Sequence, residues 1–130
     1  MSVSAFTGTT IIVVDDDDGV RGALEALLQS EGFTVLTFGS GGDFLDSDDT
    51  GGADCLLLDL NMPEMDGEAV LLSLAERGID LPVIVITSVD DPTIKARVEA
   101  AGSCAILEKP IDHEKLFESI RDALKDSPPG

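Results

Sequence analysis

The sequence has few cysteines and no long apolar run. Two cysteines in 130 residues, Cys55 and Cys104, are too few for a disulfide-stabilised scaffold, so both are expected to be free buried thiols. No stretch is long and apolar enough to cross a membrane. The first ten residues also lack the basic start and apolar segment of a secretory leader. We therefore expect a domain that stays in the cytoplasm and does not contact a membrane.

Basic side chains are also scarce. The chain has 8 Lys and Arg residues against 26 Asp and Glu residues, which gives a net charge of −18. A field of this sign repels phosphate backbones and anionic lipid surfaces. We therefore expect that this domain alone does not bind nucleic acid. Most of the acidic residues are expected to serve solubility, with the acids near positions 15 and 59 as the exception.

Short apolar runs predict the strands. A chain of 130 residues has room for one hydrophobic core. Continuous apolar runs are typical of strands buried on both faces, as in a parallel sheet, and they occur at residues 11–14, 55–58, 83–86 and, shorter, 105–107. Residues 33–38 mix apolar residues with threonines. They fit a half-exposed strand at the edge of the sheet.

Between these runs the apolar spacing becomes that of a helix. Val20, Leu24, Leu27 and Leu28 recur at i, i+4, i+7 and i+8 before Gly32. Further helices are predicted around residues 70–74, from Asp91 and Pro92 to Ala101, from Asp112 to Leu124 and, as the weakest, over residues 40–45. The alternation predicts an α/β fold with one parallel sheet, helices on both faces and right-handed crossovers.

Polar residues follow the predicted strands at their carboxyl ends. They are Asp15 and Asp16, then Asp59, then Thr87 and Ser88, and finally Glu108, Lys109 and Pro110. In such sheets ligands bind at this edge. Two carboxylates about 4 Å apart repel by about 4 kcal/mol at an effective dielectric of 20, so a cation or a proton must intervene. Because no His or Cys is placed to coordinate, an all-oxygen site favours Mg2+.

With a cation bound, Asp59 is a candidate nucleophile. A carboxylate can attack phosphorus to give an acyl phosphate. Lys109 would supply a second positive charge and Thr87 a hydroxyl donor. Asp17 and Asp18 are expected to cap the following helix, and Pro110 is a candidate for a cis peptide bond.

Four ordered motifs resemble the receiver domain of two-component response regulators. They are VVDDDDGVR at residues 13–21, LLLDLNMPEMDG at 56–67, VIVITS at 83–88 and EKPI at 108–111. The second motif, after a buried strand, is highly specific. The resemblance covers about residues 10–125 and is greatest to receivers of FixJ- and LuxR-type regulators. It implies a CheY-like, flavodoxin-like sheet of five parallel strands in the order 2-1-3-4-5, with residues 1–9 as an extension and 126–130 as a linker or tail.

The resemblance also implies a role for each matching residue. Asp59 is phosphorylated; Asp16 binds Mg2+ directly, Asp15 binds it directly or through water, and Asn61 offers its main-chain carbonyl. Thr87, Ser88 and Lys109 bind the phosphoryl group. The implied donor is a histidine kinase or a phosphotransfer protein, and the domain is a phosphoacceptor that acts on itself, not a classical enzyme.

The match departs from the family at two positions. Ile106 stands where many receivers carry an aromatic switch residue, and Ile111 stands where Phe is frequent. We therefore expect the signal to travel from Thr87 by aliphatic repacking to the face made by the fourth helix, fifth strand and fifth helix. The resemblance leaves open a homodimer through that face and a C-terminal effector domain.

Two other functions are weighed against this one. A haloacid dehalogenase-like phosphatase would use Asp16 as the nucleophile and Asp18 as the acid-base, because residues 16–19 resemble its DxDG motif. That reading needs a later acidic metal site, for which only Asp112 and Glu114 are available, and it leaves Asp59 unexplained. The other is an interaction module with a receiver-like fold that takes no phosphate.

Overall fold

The computed structural model describes residues 8–47, 52–60, 67–88, 91–103 and 105–126. Within these ranges strands and helices alternate. The strands are β1 (Thr10–Val14), β2 (Thr34–Phe38), β3 (Cys55–Asp59), β4 (Val83–Thr87) and β5 (Ala105–Glu108). The helices are α1 (Asp18–Ser30), α2 (Gly41–Asp46), α3 (Gly67–Glu76), α4 (Pro92–Ala100) and α5 (His113–Asp126).

The strands form one parallel sheet in the order β2-β1-β3-β4-β5. This confirms the predicted order. Every residue of β3 and β4 is buried, since helices cover both faces of these inner strands. β2 lies at one edge and is only partly buried, as its alternation of apolar residues with threonine predicts.

Alternation along the strands divides the core into two clusters. On one face, residues such as Leu56, Leu58 and Val85 pack against apolar side chains of α2, α3 and α4. On the other face, residues such as Leu57 and Ile84 pack against α1 and α5. We call these the α2-α3-α4 face and the α1-α5 face. Neighbouring strand residues point to opposite faces, so consecutive apolar residues feed both clusters.

Short polar side chains set the starts of the helices. Asp17, Ser40, Asp91 and Asp112 each accept a hydrogen bond from a main-chain N–H of the first turn. The second helix therefore begins at Gly41, one residue after the predicted start. Asp18 lies inside α1, and only its neighbour Asp17 is the cap. The predicted stops of α1, α3 and α4 are confirmed at glycines with positive φ, namely Gly32, Gly78 and Gly102.

Phe33 differs from its prediction. It precedes β2, and its main-chain N–H donates to the Leu28 carbonyl at the end of α1, 3.2 Å away. Cys55 is a buried free thiol as expected, whereas Cys104 lies outside the described residues. Among the described helices, none combines the length and the apolar character needed to span a bilayer.

Candidate functional site

Three carboxylates meet at the carboxyl edge of the sheet. Asp15 and Asp16 follow β1, and Asp59 is the last residue of β3, the neighbouring strand. One ligand oxygen from each residue lies within 4.8 Å of the other two. Asp15 and Asp59 are only 1% and 2% exposed, while Asp16 is exposed. We call Asp15, Asp16 and Asp59 the acidic cluster; the predicted convergence of these strand-end acids is confirmed.

Asp15 is held through its main chain and through one carboxylate oxygen. Its N–H donates to the Phe38 carbonyl at 3.2 Å, which joins the end of β1 to the end of β2. Its Oδ1 accepts from the N–H of Asp17 at 2.9 Å. Its Oδ2 is buried and accepts no hydrogen bond among the described residues. A buried carboxylate oxygen without such a partner, in a cluster of oxygen donors, fits a hard divalent cation.

Lys109 brings a positive charge to the acidic cluster. Its Nζ lies 3.5 Å from Oδ1 of Asp59 and 3.9 Å from Oδ2 of Asp15. The lysine side chain is 28% exposed, so it reaches the buried carboxylates from the rim. One ammonium group offsets only part of three negative charges, and the remaining charge still favours a cation. The predicted cis bond between Lys109 and Pro110 is confirmed.

The other predicted site residues lie on neighbouring strands. Thr87, at the end of β4, is 1% exposed, whereas the following residue, Ser88, is exposed. Ile106 pairs with Val85 in the register of β4 and β5 and packs on the α2-α3-α4 face. Strand alternation puts Thr87 on the same face, two residues beyond Val85. Asn61 lies outside the described residues, so its role stays a prediction.

Sequence reasoning assigned no role to Arg21 and did not anticipate how tightly Gly67 is packed. Arg21 donates from Nη1 to the main-chain carbonyl of Asp15 at 2.6 Å and from Nη2 to the Asp18 carboxylate. A Cβ on Gly67 would lie 3.0 Å from Cα of Leu60 and 3.2 Å from the carbonyl oxygen of Asp59. In the sequence, only the short distance of Arg21 from Asp15 and Asp16 pointed to its contact with the Asp15 carbonyl. The glycine that ends the LLLDLNMPEMDG motif was the only signal for the approach of Gly67.

Asp16 belongs to the acidic cluster, but two other residues that a dehalogenase-type site would use, Asp18 and Asp112, are engaged elsewhere. The side chain of Asp18 is 89% exposed, pairs with Arg21 and is not part of the acidic cluster. Asp112 accepts main-chain hydrogen bonds from Glu114 and Lys115 at the start of α5. Asp59, which that alternative left unexplained, is instead buried at the centre of the site.

Comparison with known proteins agrees with this geometry. The family model described as "Response regulator receiver domain" matches residues 11–121. The response regulator protein TodT of Pseudomonas putida is 37% identical over 120 residues, covering 92% of this chain and 53% of TodT. The transcriptional regulatory protein FixJ of Azorhizobium caulinodans is 35% identical over 86% of this chain and 53% of its own length. The chain thus spans about half the length of these curated relatives.

Solved structures give the same result. The crystal structure of FixJ-N matches with a TM-score of 0.85 and 30% identity, covering 96% of this chain and all of that one. The shared sheet order, the strand-end residues and the match over nearly the whole chain point to one family. The chain belongs to the response regulator receiver domains, the phosphoacceptor domains of two-component signalling.

Proposed function

We propose that Asp59 is the phosphoacceptor of this receiver and that Asp15, Asp16 and Asp59 hold a Mg2+ ion, together with the main-chain carbonyl of Asn61. The observation that carries the proposal is the position of Asp59, which is 2% exposed, grouped with two further carboxylates and 3.5 Å from the Lys109 ammonium. Oδ2 of Asp15, which accepts no hydrogen bond among the described residues and lies 3.9 Å from the Lys109 ammonium, supports the cation site. When bound, Mg2+ would neutralise the phosphoryl oxygens as they approach the carboxylates.

The chemistry is a phosphoryl transfer between two side chains. A carboxylate oxygen of Asp59 forms a bond to phosphorus while the bond from phosphorus to the donor nitrogen breaks, and the donor imidazole leaves with that electron pair. The donor is a phosphohistidine of a histidine kinase or of a phosphotransfer protein. Lys109 pairs with a phosphoryl oxygen, and the hydroxyl groups of Thr87 and Ser88 donate to the others. The same groups serve phosphorylation from small donors and hydrolysis of the acyl phosphate.

The output step uses the α2-α3-α4 face of β4 and β5. Thr87 and Ile106 share this face, and Ile106 packs with the cluster that contains Val98 of α4. Movement of Thr87 toward the phosphoryl group would let Ile106 and α4 repack, without an aromatic switch. The altered surface of α4, β5 and α5 then serves a partner or a second copy of the chain. If backbone resonances of Ile106 and α4 stay unchanged when beryllofluoride binds, this route is wrong.

The receiver is proposed to span residues 10–125, flanked by an extension at 1–9 and a linker at 126–130. It acts in the cytoplasm. Because the relatives are about twice as long as the region they share with this chain, a C-terminal effector domain in the whole protein is part of the same proposal.

Intact mass after incubation with Mg2+ and a small-molecule phosphodonor tests the phosphoacceptor. We expect one labile phosphoryl group on the wild type and none on Asp59→Asn. Asp54→Asn is the matched control, because Asp54 lies next to the opposite end of β3, where its carboxylate accepts from the Thr10 N–H. An adduct that persists in Asp59→Asn would assign the chemistry to another residue. No adduct on a folded wild type that also fails to bind Mg2+ would favour the phosphate-independent interaction module.

A further inference from the structure

Arg21 connects the loop after β1 to the first turns of α1. Its side chain is only 20% exposed, although it lies three residues after the exposed Asp18. Nη1 donates to the main-chain carbonyl of Asp15 at 2.6 Å, and Nη2 pairs with the Asp18 carboxylate. The two contacts use separate nitrogens of one planar group, so a single rotamer fixes both.

These contacts complete the fixation of Asp15. Its N–H is bonded to β2 through Phe38, and its Oδ1 is bonded to the N–H of Asp17. Arg21 holds the remaining main-chain polar atom, the carbonyl oxygen. Both polar main-chain atoms of Asp15 and one carboxylate oxygen therefore have partners. Oδ2 is the atom left for a cation.

The turn after β2 leaves space for the guanidinium group. A Cβ built on Gly39 would lie 3.4 Å from Nη1 of Arg21 and 3.8 Å from its Cζ. A methyl group would thus just touch the guanidinium group, and a larger side chain at position 39 would press on it. Gly39 and Arg21 form one packed unit beside the acidic cluster.

We propose that Arg21 is a positioning residue for the cation site. It acts through the main-chain carbonyl of Asp15 and keeps Oδ2 of Asp15 directed into the acidic cluster. This role rests on the proposed Mg2+ site. It adds to that site a residue that does not itself touch the ion.

The sign of the effect separates positioning from simple charge. A positive side chain near a cation site lowers cation affinity through space, so its removal alone would tighten Mg2+ binding. Removal of a residue that orients a ligand weakens metal binding, typically by 10–100-fold for partners that contact a ligand directly. A loss of affinity on removal of Arg21 therefore cannot come from its charge.

Isothermal titration calorimetry with Mg2+ tests the proposal. Calorimetry is chosen because the chain has no Trp or Tyr whose fluorescence could report binding. We expect Arg21→Met to bind Mg2+ about tenfold more weakly than the wild type. Arg21→Lys should recover part of the loss, because one ammonium group can still donate to the Asp15 carbonyl. Arg77→Met is the control: Arg77, the residue after α3, makes the same type of bond, from Nη1 to the Leu45 carbonyl of α2 at 2.7 Å. Its Mg2+ affinity should match that of the wild type.

The outcomes separate this role from the site on which it depends. A wild type that binds no Mg2+ would overturn the cation site and this role with it. Wild-type binding combined with equal or tighter binding by Arg21→Met would overturn the role of Arg21 alone. A weakening in Arg77→Met of the same size would also overturn it, since the loss would then follow from general loosening. If Arg21→Met does not fold, Gly39→Val displaces the guanidinium group without removing it, and unchanged affinity in that variant would count against the proposal.

Discussion

Lys109 is bonded to Thr87 through the main chain: its N–H donates to the Thr87 carbonyl at 2.8 Å. The same lysine places its ammonium group 3.5 Å from Asp59 on the next strand inward. Thus β3, β4 and β5 are connected at their carboxyl ends by one residue. A change in the charge at Asp59 acts on a side chain whose backbone is fixed to the threonine strand.

Removal of the Lys109 charge should have opposite effects on cation binding and on phosphorylation. In Lys109→Gln, Mg2+ affinity should rise by about threefold to tenfold, equivalent to about 1 kcal/mol, because a competing positive charge is lost. Phosphoryl uptake should fall, because one group that pairs with the phosphoryl oxygens is lost. Calorimetry and intact mass measure the two effects. Lys115→Gln, which removes an exposed charge from α5, is the control; an equal rise in affinity there would mean that only net charge matters.

Neutralisation of Asp15 should have opposite effects on stability in the absence and in the presence of Mg2+. Without divalent cations, Asp15→Asn should raise the free energy of unfolding by about 1 kcal/mol, because it relieves repulsion within the acidic cluster. With excess Mg2+ the wild type should gain stability by ligand binding, and the variant should gain little. Thermal unfolding in chelator and in Mg2+ measures both. A variant that is less stable than the wild type in chelator would contradict the repulsion argument.

Gly67 is expected to be intolerant of even a methyl group. In Gly67→Ala the new Cβ would lie 3.0 Å from Cα of Leu60, so the backbone after Asp59 would have to give by a few tenths of an ångström. We expect a loss of about 1–3 kcal/mol in the free energy of unfolding, together with slower phosphoryl uptake. Denaturant unfolding and timed intact-mass measurements follow the two quantities.

Gly22 provides the matched control for that substitution. It lies inside α1, is exposed, and a Cβ built on it meets no atom within 4 Å. Gly22→Ala should therefore increase stability by about 0.5–1 kcal/mol through helix propensity alone. If Gly67→Ala and Gly22→Ala are both more stable than the wild type, Leu60 moves away from position 67 easily and the predicted steric cost is wrong.

Two ion pairs hold α4 to its neighbours. Lys95 pairs with Glu108 of β5 at 2.7 Å, and Arg97 pairs with Glu68 of α3 at 2.6 Å. Val98 is the only fully buried residue of this helix, so the two pairs add to a small apolar contact. Arg97→Gln should cost less than about 1 kcal/mol in global stability, because the Arg97 side chain is 61% exposed. Hydrogen exchange of the α4 amides should nevertheless accelerate in Arg97→Gln. The control Arg121→Gln, on α5, should leave this exchange unchanged. Equal exchange rates in the two variants would mean that the Arg97–Glu68 pair does not restrain α4.

The sheet could be predicted because its signals lie in consecutive residues of the chain. Continuous apolar runs identified strands buried on both faces, and the acids and hydroxyls that end them identified the carboxyl edge. The observed strands run further than those runs, to Asp59, Thr87 and Glu108, because main-chain pairing continues after the apolar side chains stop. Phe33 was assigned to a strand on its hydrophobicity, but its side chain packs on the α1-α5 face from the turn that ends α1.

The details of the site could not be predicted in the same way. Whether Arg21 reaches the Asp15 carbonyl depends on the rotation of α1 about its axis and on the space left at Gly39, and neither follows from spacing. The unequal exposure of Asp15 and Asp16 has the same origin, since it depends on how the loop turns after β1. The residue types and their positions thus predicted which residues form the acidic cluster. The packing around them determines how exposed each carboxylate is and what it contacts.

The division of the core has an evolutionary consequence. The two hydrophobic clusters share no residue, since each strand side chain belongs to one face only. Substitutions on α4 or at Ile106 alter the packing of one cluster and leave the contacts of α1 and α5 intact. Because the effects of distant substitutions on stability are usually additive, such changes can accumulate with little effect on the stability of the α1-α5 cluster. Lineages that inherit this scaffold can therefore vary the part of the partner surface made by α4 and Ile106, while α1 and the carboxyl edge of the sheet stay the same.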